Sequence, residues 1–129
     1  MPKSNRELQR QDFEKHSEKT RLNIKGFDCE IIKVSGHWCG YINIPRQIDH
    51  HVKEHMEEEM PVHGGITYFK SNKGKTKIGF DCSHYRDYSK ELDSEKEDDI
   101  EDDKTYFRTY DYVLKELQNG IDWLITESI

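Results

Sequence analysis

VHGGITYFK, residues 62–70, runs through SNKGK (71–75) into TKIGFDC, residues 76–82. Both flanks are rich in β-branched and aromatic residues, and Asn72 and Gly74 suit turn conformations, so the stretch predicts a β-hairpin. The reading decides the fold: it sets His63, Gly64 and Gly65 on one strand and Asp81, Cys82 and His84 at the end of its neighbour.

Working outward, a second hairpin lies upstream. FDCEIIKV (27–34) and HWCGYINI (37–44) are two β-rich runs separated only by Ser35 and Gly36, and Pro45 ends the second of them. Between the hairpins, Ile48, Val52 and Met56 recur every four residues from Gln47 to Glu59, a short amphipathic helix stopped by Pro61. Residues 4–20 open with Ser4 and Glu7 in capping-box spacing, yet carry only Leu8 and Phe13 as large apolar groups, so a polar helix lying loosely on the domain is expected. Downstream, Phe107, Tyr110, Leu114, Leu117, Ile121 and Leu124 alternate spacings of three and four, the strongest helical period in the chain. Gly120 within it costs about 1 kcal/mol relative to alanine. The expected class is α+β: two β-hairpins forming a small, four-stranded antiparallel sheet packed by the long C-terminal helix, with a polar N-terminal helix. The C-terminal stripe also fits an a/d seam, which would give a homodimer.

At 129 residues the chain suits a single domain, 1–129, in which 1–25 is loosely packed and 91–104 forms an acidic loop. Only 33% of residues are apolar and 36% are charged, so the core must come from a few well-patterned segments. No apolar run is long enough for a membrane span, and MPKSNRELQR lacks the apolar stretch of a signal peptide, which points to the cytoplasm and away from membranes. Cys29, Cys39 and Cys82 are odd in number and scattered, which reads as free thiols. The net charge of −6 is concentrated: ELDSEKEDDIEDD (91–103) carries nine acidic residues against Lys96, and the rest of the chain is slightly basic. Such a block reads as a solvated loop, with a strip for a basic partner or a nucleic-acid mimic as the sharper alternative. Nucleic acid itself is not an expected partner.

Several motifs carry candidate chemistry. NKGKT (72–76) resembles the tail of a phosphate-binding loop, but Phe69 stands where the first glycine belongs and a strand follows where a helix is needed. HVKEH (51–55) matches H-x-x-E-H, but a five-residue pattern is weak evidence in a stretch so rich in His and Glu, and it reads as a solvated helix face. Cys82 and His84, two apart, would point to one side of a continuing strand, with Asp81 opposite; with His63 they could form a zinc site or an activated thiol. The favoured reading of Cys82 by itself is a buried core residue, ahead of a wall of a ligand site and of a nucleophile or metal ligand. Paired glycines in a strand mark a bulge or a close approach by a ligand. Lys70, Lys73, Lys75 and Lys77 at the hairpin tip, and Arg86 after His84, suit a small anion. The expected pocket is walled by His63, Gly64, Gly65, Thr67, Asp81, Cys82, His84 and Arg86, with no cofactor specified.

The order GYINIP (40–45), VHGGITY (62–68), IGFDCSHYRD (78–87) and YDYVLKEL (110–117) resembles a group of small uncharacterised bacteriophage and prophage proteins. In these a V-H-G-G-[IL]-T strand precedes a G-F-D-x-x-H strand and a closing helix. The likeness spans roughly residues 37–124; the acidic block and the polar first helix depart from it. It implies a compact phage accessory protein acting in the host cytoplasm and brings no catalytic role. Accessory proteins of this size work by binding, so the leading expectation is a non-enzymatic protein that binds a small anionic ligand, nucleotides among them, or a host defence protein. The alternative is a small Cys/His or zinc-dependent hydrolase using the same pocket.

Overall fold

The computed structural model describes residues 3–45, 48, 50–72, 75–89 and 105–128. The acidic block 91–103 and the turn residues Lys73 and Gly74 therefore lie outside the described residues, as does the side chain of His51 in the HVKEH motif.

The class is α+β. Helix α1 (Asn5–Lys15) precedes strands β1 (Lys19–Ile24), β2 (Phe27–Val34) and β3 (His37–Ile44); helix α2 (His50–Glu59) leads to β4 (Tyr68–Asn72) and β5 (Lys75–Asp81), and α3 (Tyr110–Glu127) closes the fold. The sheet is antiparallel in the order β1-β2-β3-β5-β4. Five strands are present where four were expected. The additional strand begins within the last two residues of the segment read as helix and runs on to Ile24; the helix itself ends at Lys15, with His16 as its C-cap. KTRLNI then pairs with β2 through a two-residue turn, Lys25 and Gly26, both at positive φ (51° and 93°). Two left-handed residues match the twist of a tight hairpin, and the turn overrides the helix formers before it.

The two faces of the sheet differ. Ile31, Gly40, Ile42, Ile78 and Phe80 share the inner face, where they meet Val113, Leu117, Ile121 and Leu124 of α3 and Val52 and Met56 of α2 in one core. Gly40 is small because the Phe80 ring and Leu117 close over it. Gly120, an apparent defect in α3, admits Val62 and Met60 against the helix. Of the α3 stripe that also fitted a coiled-coil seam, Tyr110, Leu117, Ile121 and Leu124 are buried in the chain's own core, while the core position expected of Leu114 is taken by Val113 and Leu114 is half-buried. Phe107 is buried too, but ahead of the helix, whose N-cap is Thr109, accepting from Tyr112 N.

Helix α1 is fixed rather than loose. Ser4 caps it as its spacing predicts. The anchors, however, are polar: Gln9, fully buried, donates to Gly36 O at 2.8 Å, and Asp12 Oδ2 accepts from Trp38 Nε1 at 2.6 Å and Tyr110 N at 2.7 Å. Phe13 meets Trp38 and Phe107 edge to face, and His16 stacks on Tyr110 at 3.8 Å. Asp12→Ala strands two donors in a dry site and should lower the unfolding free energy by about 2–4 kcal/mol. Urea unfolding measures this, and a loss below about 0.5 kcal/mol, ordinary for a surface substitution, would show that the contacts do not hold α1.

Candidate functional site

The ladder between β4 and β5 ends with Thr67 N donating to Gly79 O, so His63 is not on a strand. Residues 62–65 instead form a turn, closed by Gly65 N to Val62 O at 2.9 Å, with Gly64 and Gly65 at φ +69° and +77°. Two consecutive left-handed residues cannot continue a strand, and glycine is the residue that adopts them without cost. Gly64 has a second requirement. A Cβ there would stand 2.3 Å from His84 Nε2, so its bare backbone is what lets His84 pack against the turn. His63 and Cys82 therefore do not lie on paired strands, and the shared wall expected of them is not formed.

His63 finds other partners. Its Nε2 lies 2.7 Å from Asp87 Oδ2 and its Nδ1 2.8 Å from Tyr112 Oη, so both ring nitrogens are engaged. Asp87 Oδ2 also accepts from His84 N at 3.0 Å, and Oδ1 from Arg108 Nε at 2.9 Å. The Asp87 side chain has no exposed surface. Burial alone would raise its pKa, but the hydrogen bonds from His63, Arg108 and His84 N prevail and hold it below the ordinary carboxylate value. Arg108 also lies over the rings of Tyr106 and Tyr112. Asp87, Arg108 and Tyr112 were not singled out in the sequence, where nothing but folding brings them together.

The remaining candidates separate into three environments. Cys82 points into the core at 1% exposure, and burial followed by the nearby Asp87 charge pushes its thiol well up, which is the opposite of an activated nucleophile. Cys29 and Cys39 are likewise buried free thiols raised by burial, to about 12 and about 11. Asp81 and His84, expected on opposite sides, come together: the strand ends at Asp81, the chain turns, and His84 Nε2 lies 3.3 Å from Asp81 Oδ1, outside hydrogen-bond alignment. Arg86, at φ +72°, places its guanidinium over the neighbouring Tyr85 ring and its carbonyl on Tyr106 N. Among the described residues, no group of three or more His, Cys, Asp and Glu side chains is arranged to hold a metal ion.

Thr67 and Asp81 belong to a different feature, an open cleft of about 470 Å³ on the outer face of the sheet, lined also by His37, Cys39, Tyr41, Tyr68 and Ser83. The Asp81 carboxylate is fixed by Thr67 Oγ1 on Oδ2 (2.8 Å) and Ser83 N on Oδ1 (3.0 Å). Tyr41 lies across β5 at Gly79, where a Cβ would be 2.5 Å from its ring, and meets Tyr68 edge to face at 5.4 Å. His37 Nδ1 is buried without a hydrogen-bond partner among the described residues, and burial lowers the pKa of this ring. Outside that lining, Lys77 Nζ is 5.1 Å from the Tyr41 centroid, and Lys70 is the cross-strand partner of Lys77 in the ladder. Lys77 is partly neutralised by Glu30 at 3.2 Å.

No family model, curated protein or solved structure matches the chain. Among the described residues, no helix is long and apolar enough to cross a membrane.

A testable consequence concerns pH. Because the folded pKa of Asp87 is depressed, its contribution is fully present above the unfolded carboxylate value near 4 and is lost as pH falls through the lower folded value. Stability should therefore drop steeply below about pH 4. Asp87→Asn should be less stable at pH 7 and show a shallower acid dependence, read from urea midpoints between pH 2.5 and 7. Parallel curves for the two proteins would contradict the assignment.

Proposed function

We propose that the protein works by binding, and that the outer-face cleft takes a small anionic ligand carrying a planar ring, a nucleotide being the type that fits. The observation that carries this reading is the placement of Lys70 directly opposite Lys77 beside the Tyr41–Tyr68 pair. Backbone register places the two lysines side by side, and the Lys77 ammonium leans across β3 to Glu30 at 3.2 Å and to the Tyr41 ring. An anion beside the tyrosine pair would draw both flexible lysine side chains onto it. The exposed Tyr68 ring then offers a stacking surface at the distance of one ladder step, and base–aromatic stacking tolerates many ring types.

Binding is favoured over catalysis by the state of the reactive groups. The Cys82 thiol is sealed in the core with its ionisation opposed, and both nitrogens of His63 are committed to Asp87 and Tyr112. Thr67 and Asp81 are the members of the sequence-derived set that line the cleft; His63, Gly64 and His84 act behind it, as its support. In the setting implied by the likeness to phage accessory proteins, such a protein would sequester a small nucleotide in the host cytoplasm. Engagement of a host defence protein has no comparable feature in its favour.

Titration calorimetry with the four ribonucleoside 5′-monophosphates tests the reading. At least one should bind in a 1:1 ratio. Tyr68→Ala should weaken it about 5- to 150-fold, the loss of about 1–3 kcal/mol of stacking. Lys70→Ala should weaken it further and reduce its salt dependence, while Cys82→Ala, if folded, should leave affinity unchanged. Absence of binding by all four, or binding indifferent to both Tyr68→Ala and Lys70→Ala, would refute the proposal.

A further inference from the structure

Strand β4 stands at an edge of the sheet, and every residue of Tyr68–Asn72 is exposed. Only two residues separate Asn72 from its cross-strand neighbour Lys75, so these two must exchange both of their backbone hydrogen bonds. Pairs alternate along an antiparallel ladder. Lys70↔Lys77 and Tyr68↔Gly79 are therefore hydrogen-bonded as well, and the N–H and C=O groups of Phe69 and Ser71 point outward. Among the described residues, nothing meets those outward groups. The side chains add to the exposed edge. Phe69 stands beside Ile78 on the inner face, yet it is 43% exposed where Ile78 is 1% exposed, so the apolar cover of the sheet ends at β5.

We propose that β4 is a docking edge for an extended segment of another protein, one that alternates acidic and apolar residues and adds to the sheet as a further strand. An unpaired edge can also recruit a second copy of itself, and Lys70 opposes that. The antiparallel register in which both copies use Phe69 and Ser71 pairs Phe69 of each with Ser71 of the other. It sets Lys70 directly opposite Lys70 in a non-hydrogen-bonded pair, where side chains approach most closely. Like charges so placed are destabilising. The surrounding charge has the same sign: Lys70 and Lys75 are exposed, whereas Lys77 is held by Glu30. Asp81, the carboxylate of these two strands, lies at the other end of β5 and is fixed by Thr67 Oγ1 and Ser83 N. A foreign strand therefore gains from an acidic residue opposite Lys70. Because side chains alternate, it gains also from an apolar residue next to that one, on the face of Phe69. The outward groups of Phe69 and Ser71 lie on the rim and not in the lining of the outer-face cleft, so docking here is independent of nucleotide binding.

The test is an NMR titration of the isotope-labelled full chain with two end-blocked peptides of strand length, one alternating glutamate and valine, the other lysine and valine. The acidic peptide should shift the amide signals of Phe69 and Ser71, slow their hydrogen exchange, and bind at least about tenfold more tightly than the basic one. Ser71→Pro removes one outward N–H and leaves the bonds to β5 in place, since proline is tolerated where the N–H faces solvent. It should weaken the acidic peptide about 5- to 150-fold, because a carbonyl of the added strand is left unpaired. Lys70→Glu should reverse the preference between the two peptides. Failure of both peptides to bind, equal affinity for the two, or an affinity unchanged by Ser71→Pro would overturn the proposal. Slow exchange at Phe69 and Ser71 in a peptide-free protein that sediments as a dimer would also overturn it, by giving the edge to a second copy. Lys70 is exposed, so the charge preference is decided even if Ser71→Pro does not fold.

Discussion

A buried carboxylate organises the end of the molecule where the cleft lies. Burying a charge without partners is prohibitively costly, and Asp87 has no exposed side-chain surface. It meets that cost with three donors from three parts of the chain: the His63 ring, the Arg108 guanidinium and the backbone N–H of His84. Removing any one leaves the charge under-compensated, so the turn at 62–65, the turn after β5 and the approach to α3 are positioned together or not at all. His63 extends the constraint to α3 through Tyr112, and a bridge pairs Asp87 itself with Tyr106. Thr67 follows the first turn and Asp81 precedes the second; their hydrogen bond across the cleft floor exists because both turns are held.

Much of the architecture is written in local pattern. The β2–β3 hairpin, the cap of α1, the α2 stripe and the period of α3 were legible because each is an interaction between near neighbours in sequence. Strand β1 was hidden for the opposite reason. As an edge strand with one inner face it needs only Thr20, Leu22 and Ile24 toward the core, too few to announce a period, and the Lys25–Gly26 turn was its one local signal. The docking of α1 was hidden because its anchors, Gln9 and Asp12, count as surface residues in any hydrophobic pattern, and their value depends on the Gly36 carbonyl and the Trp38 indole.

The candidate site was legible as a region and misread in detail. The glycine pair and the D-C-S-H run do meet, but through His84 over Gly64 rather than through Cys82 beside His63. The error has a single source: the glycines were placed within a strand when their left-handed conformations end it. Once His63 leaves the strand its side chain falls toward Asp87, and Cys82, freed of a partner, packs as an ordinary small apolar residue. Asp87, Arg108 and Tyr112 gave no signal, since residues 21 and 25 positions apart become neighbours only through the tertiary fold.

Composition explains why a cleft is open at all. A chain with 33% apolar residues can dry one face of a five-stranded sheet and not two. Alternation sends Ile31, Ile42, Ile78 and Phe80 inward, and the buried stripes of α2 and α3 pack on that side. The outer face must then be polar, and most of it is: Lys19 and Lys77 meet Glu30, and Asn43 bonds the Asp28 carbonyl. Against that solvated background the Tyr41–Tyr68 pair stands out, beside the buried Cys39 and a His37 whose Nδ1 has no hydrogen-bond partner among the described residues. Gly79 sharpens the point. Its missing side chain contributes nothing to the inner core, yet it is what allows Tyr41 to lie across β5 and meet Tyr68. A glycine in mid-strand is a cost to the sheet, and here the platform on the outer face is the only structural return for it among the described residues.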